Sequence, residues 1–166
     1  MKRGFLLTIM LFFGFAVAQQ EKVVDKLMTD WHHAAAVADF DGYFNPMHEK
    51  SIYMGTDATE RWTKTEFISF AKPYFDRTKR KSAWDFKAID RHVVISKDGK
   101  TAWVDELLEG HMKICRGSGV LVKEKNGWKI IQYVLSMTIP NNNTTEVVKL
   151  KAAEEDKVIE SFKNKK

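Results

Sequence analysis

Cysteine is almost absent from this sequence, which has a single one, Cys115, among 166 residues. One cysteine cannot form an internal disulfide, so the fold depends on its core. Cys115 lies in a run of small and apolar residues, a setting that favours a buried hydrophobic role over a nucleophilic one.

Several common chemical motifs are also missing. There is no glycine-rich phosphate loop, no nucleophile elbow and no Cys-x-x-Cys pair. His32 and His33 are adjacent, so on a helix they point about 100° apart and cannot chelate one metal. No His-x-x-x-His pair or carboxylate at ligand spacing supports zinc. The sequence therefore predicts no metal and no cofactor.

Charge of one sign is not strongly in excess, because the formal net charge is only +5. Basic residues cluster at 77–81 and again at 163–166. Neither cluster alternates with aromatic residues, as nucleic-acid sites tend to do. We interpret both as solvated surfaces and expect no nucleic-acid partner.

The first residues have the pattern of a cleavable signal peptide at 1–18. Lys2 and Arg3 precede an apolar run over 5–17, and Ala16-Val17-Ala18 is an A-x-A cleavage site. An uncleaved anchor is the alternative, but the run is short of the ~20 residues that span a bilayer. The sequence predicts export to the periplasm or the medium, and no membrane contact after cleavage.

Helices are predicted before strands in the rest of the chain, which is typical of an α+β fold. Asp-Gly and Asn-Gly pairs mark two hairpin turns, and Thr63 with Glu66 forms a capping box at a helix start. We expect N-terminal helices packed on a curved antiparallel sheet, with a pocket between them, over 19–141. A charged helix and tail are expected over 142–166. The predicted helices cover 21–38, 63–75 and 146–162, with a short helix or a turn at 39–47, and the predicted strands cover 51–54, 84–96, 101–109, 113–125 and 128–139.

Five segments together resemble the SnoaL-like branch of the nuclear transport factor 2-like superfamily. They are WHHAAAVADFDGYF at 31–44, GTDATERW at 55–62, WVDELLEG at 103–110, CRGSGVLV at 115–122 and WKIIQYVLSMTIPN at 128–141. The resemblance implies a cone-shaped α+β roll, a pocket inside the cone and frequent dimerisation through the sheet. Relatives include ketosteroid isomerases, dehydratases, polyketide cyclases and members that only bind.

Two neighbouring carboxylates, Asp105 and Glu106, point to opposite faces of the strand at 101–109. Glu106 shares its face with small apolar residues, so we expect it inside. There it would be either a general base with a raised pKa or one partner of a structural ion pair. Arg116 is the expected partner, because burial of an arginine requires a counter-charge. Arg116 would either hold the sheet together or bind a ligand carboxylate.

The other candidate ligand-binding residues lie on the last strand and on the helices. Alternation places Gln132 and Ser136 on one face with Trp128, which makes Gln132 a candidate pocket donor and leaves Tyr133 for a dimer face. His32 is the best-placed histidine for catalysis, although a satisfied or exposed role is the alternative. Trp31 and Trp62 are candidate pocket aromatics.

Three functions remain open from these residues. The leading hypothesis is an exported, homodimeric domain that binds a small molecule without a cofactor. The second is an isomerase, dehydratase or cyclase with Glu106 or Asp105 as its base. The third is a structural or assembly domain that uses its sheet face.

Overall fold

A computed structural model of the protein describes the backbone of residues 2–164 and the side chains from Val17 to Asn164. The side chains on which the signal-peptide prediction rests, up to Ala16, lie outside the described set, as do Lys165 and Lys166 of the basic C-terminus. The helices are α1 (Lys2–Ala36), α2 (Phe40–Phe44), α3 (Lys64–Ala71) and α4 (Thr144–Lys163), with short 3-10 helices at Lys72–Phe75 and Asn141–Asn143. The strands are β1 (Met47–Met54), β2 (Arg61–Thr63), β3 (Phe86–Ile95), β4 (Thr101–Gly110), β5 (Lys113–Glu124) and β6 (Gly127–Met137).

The six strands form one mixed sheet in the order β2-β1-β6-β5-β4-β3. Strands β3 to β6 are the predicted antiparallel meander. The sheet is mixed rather than wholly antiparallel, because β1 runs parallel to β6. The connection from β1 back to β6 passes through α3 and the whole meander, which gives the chain room to reverse direction.

Local sequence accounts for the hairpins and for the start of α3. Gly99 and Gly127 have φ of 68° and 113° at the two hairpin turns, a region that favours glycine. The capping box is confirmed, since the Thr63 backbone N–H donates to Glu66 Oε2 over 2.8 Å. Pro73 falls in the 3-10 helix that ends α3, where a proline is tolerated.

The core lies between one face of the sheet and helices α1, α2 and α3, and it is rich in aromatic rings. Trp31 stacks on Tyr43 with ring centroids 4.7 Å apart and meets Tyr133 edge-on at 4.7 Å. Tyr53 stacks on Phe67 at 3.9 Å. Burial of several large rings supplies most of the apolar area that holds the helices to the sheet.

Two β-bulges determine which side chains reach that core. In β3 the pairing moves from Ala88–Leu108 to Asp90–Leu107, so Ile89 is an extra residue. In β6 it moves from Gln132–Val120 to Ile130–Leu121, so Ile131 is extra. Beyond each bulge the inward and outward positions exchange.

The C-terminal helix α4 lies apart from this core, and none of its described residues is buried. Among the described residues, no helix is long and apolar enough to cross a membrane.

Candidate functional site

Four polar side chains meet inside the protein and form what we call the buried polar cluster: Glu106, His32, Arg91 and Tyr133. Glu106 Oε1 accepts hydrogen bonds from His32 Nε2 over 2.8 Å and from the Tyr133 hydroxyl over 2.7 Å. Glu106 Oε2 accepts from Arg91 Nε over 2.7 Å. An ionised carboxylate only accepts, so His32 Nε2 carries a proton in this contact.

Arg91 connects the cluster to helix α1. Its Nη1 donates to the Asp25 carbonyl and carboxylate, each over 2.9 Å, and to the Thr29 hydroxyl over 2.8 Å. The Arg91 side chain is only 6% exposed. Because β3 and β4 supply Arg91 and Glu106 while α1 supplies His32, Asp25 and Thr29, the cluster fastens the helix to the sheet.

The cluster keeps Glu106 ionised. Burial alone would raise the pKa of this carboxyl, but the hydrogen bond and charge of His32, the charge of Arg91 and the Tyr133 hydroxyl outweigh it and lower the pKa from 4.5 to about 2. Burial, followed by the nearby Glu106 charge, raises the pKa of Tyr133. Glu106 is 2% exposed and three donors occupy its oxygens. This geometry favours the structural ion pair over the general base.

Acid should therefore weaken the fold through Glu106. A carboxyl whose pKa is lower in the folded state stabilises the protein above its usual pKa, here 4.5, and loses that effect as pH falls towards about 2. We expect a loss of up to about 3 kcal/mol across this window. Urea unfolding at several pH values measures it, and a Glu106→Leu protein should lack this component. If the free energy of unfolding depended on pH equally in the two proteins, the expectation would be contradicted.

The expected Arg116–Glu106 pair is wrong. In the register of β4 and β5, Glu106 lies opposite Gly117, and Arg116 lies opposite Leu107 on the outer face. Arg116 is exposed. Directly paired residues of antiparallel strands share a face, so the one-residue offset places the guanidinium on the other side of the sheet.

Gln132 and Ser136 are also exposed on the outer face, and Tyr133 is 1% exposed on the inner face. The expectation that Gln132 shares a face with Trp128 and Ile130 is wrong because the extra Ile131 reverses the alternation. Tyr133 accordingly joins the core rather than a dimer face. Asp105 lies outside as well, 3.1 Å from His92 Nδ1.

Sequence reasoning missed two members of the cluster, Tyr133 and Arg91, and for Arg91 the sequence contained a usable signal. Ser96 and Thr101 pair across the Asp98-Gly99 turn. Counting back from that turn pairs Arg91 with Glu106, which is the observed register. Turn geometry fixes hairpin register, so this count identifies Arg91 as the partner.

Of the two tryptophans proposed for the pocket, Trp31 lies in the core and Trp62 lines a cleft. Trp31 is 1% exposed, and its Nε1 donates to the Tyr43 carbonyl over 2.9 Å. The Trp31 side chain therefore has no accessible surface that a ligand could contact. Trp62 is half-buried and borders open space.

The cleft at Trp62, which we call the aromatic cleft, has a volume of about 210 Å³. It lies where β1, β2 and α3 approach the turn between β4 and β5. Trp62 stacks on Phe70 at 4.6 Å, and Trp84 stacks on Phe67 at 6.0 Å. Half of its lining residues are phenylalanine, tyrosine or tryptophan, and the full set is Tyr53, Gly55, Thr56, Glu60, Trp62, Phe67, Phe70, Trp84, Phe86, His111, Met112 and Leu135.

A second, more polar cleft of about 350 Å³ lies between α1 and β3. His32 and Arg91 of the buried polar cluster line it, together with Thr29, His33 and Lys87. No group of three or more metal-ligating side chains occurs in the part of the chain that the structure describes.

The model of a protein family, the SnoaL-like domain, matches residues 24–140 of this sequence. The chain belongs to the SnoaL-like domain family. The match spans every strand, helices α2 and α3 and the part of α1 from Val24 onwards, so the aromatic cleft lies within the family's domain. No curated protein matches the chain in sequence.

Solved structures share the fold of this SnoaL-like domain at low sequence identity. An NTF2-like protein of unknown function from Pseudomonas putida is 13% identical with a TM-score of 0.62, covering 75% of this chain and 90% of its own. A putative dehydratase from Streptomyces avermitilis is 15% identical with a TM-score of 0.60, covering 74% and 99%. The association domain of C. elegans CaMKII is 18% identical with a TM-score of 0.61, covering 73% and 98%. At these identities the likeness establishes the fold alone.

Proposed function

We propose that this SnoaL-like domain binds a small, flat, largely apolar molecule in the aromatic cleft. The observation that carries the proposal is the cleft itself, whose walls are aromatic rings contributed by β1, β2, α3 and the segment before β3. Ligand sites are typically concave and apolar with a few polar groups that fix orientation. Glu60, Thr56 and His111 are such groups here.

The ring geometry supports a flat ligand. Trp62 lies 11° from the plane of Phe67 and 20° from that of Phe70. Phe70 is 42% exposed, so part of this stack faces solvent. An additional planar ring can extend the stack, and such offset stacking contributes about 0.5 to 1.5 kcal/mol beyond apolar burial.

The enzyme alternative has weaker support. An isomerase, dehydratase or cyclase of the kind expected from the sequence would use Glu106 or Asp105 as its base. Glu106 is enclosed by its three donors, and Asp105 lies on the outer face beside His92. Neither carboxylate lines the aromatic cleft, so a substrate bound there would have neither base within reach.

Replacing Trp62 with alanine should weaken binding of the neutral fluorescent probe N-phenyl-1-naphthylamine by about tenfold, because a stacking surface is lost. Fluorescence titration measures the change. Phe162→Ala removes an aromatic ring from α4, where it is 54% exposed and outside both the cleft and the outer face, and serves as the control. Equal affinities for the two variants would contradict the placement of the ligand.

We also propose that the domain is a homodimer formed through the outer face of the sheet. Val94 and its cross-strand partner Trp103 lie on the outer face, as does Ile114 further along the sheet, and they are 39% to 46% exposed. Exposed apolar side chains on one face of a sheet are typical of an interaction site. Sedimentation equilibrium tests the proposal, and a monomer at micromolar concentration would contradict it.

Export remains a proposal that rests on the N-terminal sequence. The charged start, the apolar run and the Ala16-Val17-Ala18 site are its support. N-terminal sequencing of protein secreted by its host should find Gln19 first. A retained Met1 in the cytoplasmic fraction would contradict it.

A further inference from the structure

We propose that the aromatic cleft selects organic cations, specifically flat aromatic molecules that carry an amine or quaternary ammonium group. This inference rests on the proposed function and specifies the class of ligand. It depends on one side chain, Glu60, and on the rings around it.

Glu60 is held at the cleft by the turn between β1 and β2. The Gly55 N–H donates to the Glu60 carbonyl over 3.0 Å, and the Asp57 N–H donates to Glu60 Oε2 over 3.2 Å. A Cβ atom at Gly55 would overlap the Glu60 carboxylate, so glycine there lets the carboxylate fold back over the strand. The turn therefore fixes a negative charge at the edge of the aromatic cleft.

No lysine or arginine side chain faces the Glu60 carboxylate among the described residues that line the cleft. Glu60 is the one carboxylate among those described residues, and His111 and Tyr53 are the other ionisable side chains. After burial, the nearness of Glu60 is the next cause that raises the pKa of Tyr53. The Glu60 carboxylate therefore interacts electrostatically with Tyr53, which lines the cleft.

Two arginine side chains that are near the cleft residues in sequence, Arg61 and Arg80, do not line the cleft. Arg80 lies over the Tyr74 ring at 4.8 Å and does not line the cleft. Arg61 is exposed and precedes Trp62 on β2, where successive side chains alternate between faces. Neither guanidinium is among the groups that a cleft ligand would meet.

The aromatic walls strengthen the preference for a cation. The face of a tryptophan, tyrosine or phenylalanine ring carries partial negative charge and attracts an ammonium group within about 6 Å. A carboxylate ligand would meet the ring faces and Glu60 with the same sign of charge. The sequence-based expectation of a carboxylate ligand depended on Arg116, which lies on the outer face.

Three naphthalene probes of one size and different charge test the inference: 2-naphthylmethylamine, 2-naphthalenemethanol and 2-naphthoate. At about pH 7.5 the amine is a cation, the alcohol is neutral and the acid is an anion. Calorimetric titration should give the amine about fivefold higher affinity than the alcohol, with the acid weakest. In Glu60→Gln, the amine-to-alcohol affinity ratio should fall to the smaller preference that the ring faces alone provide.

The control variant is Glu109→Gln, which removes one exposed carboxylate from β4 and should leave the ratio unchanged. Glutamine at 60 keeps an oxygen that can accept from Asp57, so the turn is preserved. Should Glu60→Gln still unfold, salt provides the second measurement. The amine-to-alcohol ratio of the unmodified protein should fall between about 0.05 M and about 1 M NaCl.

The outcomes separate this inference from the proposed function. Equal binding of amine and alcohol to the unmodified protein, or tighter binding of the acid, would overturn the cation preference and leave the aromatic cleft as a binding site. A ratio that does not respond to salt would also overturn it. Failure of all three probes to bind would overturn the proposed function as well.

Discussion

Replacing Glu106 with leucine is expected to lower the free energy of unfolding by about 3 to 5 kcal/mol, the usual cost of removing one partner of a buried ion pair. Arg91, His32 and Tyr133 would all lose their shared acceptor. Urea unfolding measures the loss. Glu109→Leu, an exposed position on the outer face of the same strand, should change stability by less than about 0.5 kcal/mol.

A double substitution distinguishes the energy of the Arg91–Glu106 ion pair from that of the side-chain packing at the same positions. Arg91→Met combined with Glu106→Leu should be less destabilised than Glu106→Leu alone, because well-packed apolar side chains often replace a buried ion pair at little cost. A double variant that loses as much as the sum of the single variants would show that the two side chains act independently.

Gly117→Ala is the second substitution for which we expect a large effect, about 2 to 4 kcal/mol of destabilisation. A Cβ at Gly117 would overlap the Tyr133 hydroxyl and lie 2.9 Å from Glu106 Cγ. Overpacking costs about 1 to 3 kcal/mol, and displacing Tyr133 also removes a charge-assisted hydrogen bond.

Gly119→Ala is its matched control on the same strand and face. The Cβ at that position would lie 3.1 Å from Tyr133 Cδ2, a contact that a small shift can relieve. Thermal unfolding should place Gly119→Ala well above Gly117→Ala in melting temperature. Similar melting temperatures would mean that the Tyr133–Glu106 hydrogen bond adds little to stability.

The sequence predicted the meander and the inward position of Glu106, because these follow from local signals. Asp98-Gly99 and Asn126-Gly127 specify the hairpin turns, and alternation along β4 places Glu106 on the core face. The register that pairs Arg91 with Glu106 could also have been predicted, because it follows from the Asp98-Gly99 turn.

The sequence-based expectations for the faces of Gln132 and Tyr133 on β6 were wrong because of a feature without a local sequence signal. A bulge at Ile131 reverses the faces of Gln132 and Tyr133, and no glycine or proline marks it in the sequence. It arises where β6 has to pair with β5 on one side and with β1 on the other. Such a requirement is tertiary, so the period of two fails there without a local warning.

The aromatic cleft was predicted only in part, through Trp62. Its walls come from positions as far apart as Tyr53 and Leu135. The strand β2, which carries Trp62, has three residues, too few for a periodic signal. The sequence showed aromatic residues on predicted helices and strands but could not show which of them share an open space.

These observations divide the interior of the domain into two parts with different roles. The buried polar cluster holds α1 to the sheet, and the aromatic cleft offers accessible surface to a ligand. We propose that ligands bind at the aromatic cleft and not beside the buried polar cluster.

Backbone amide NMR during titration with 2-naphthylmethylamine tests that claim most directly. We expect the largest changes in chemical shift around the aromatic cleft, at Gly55, Thr56, Phe70 and Met112. Largest changes instead at Thr29, His33 and Lys87, which line the cleft beside the buried polar cluster, would contradict it.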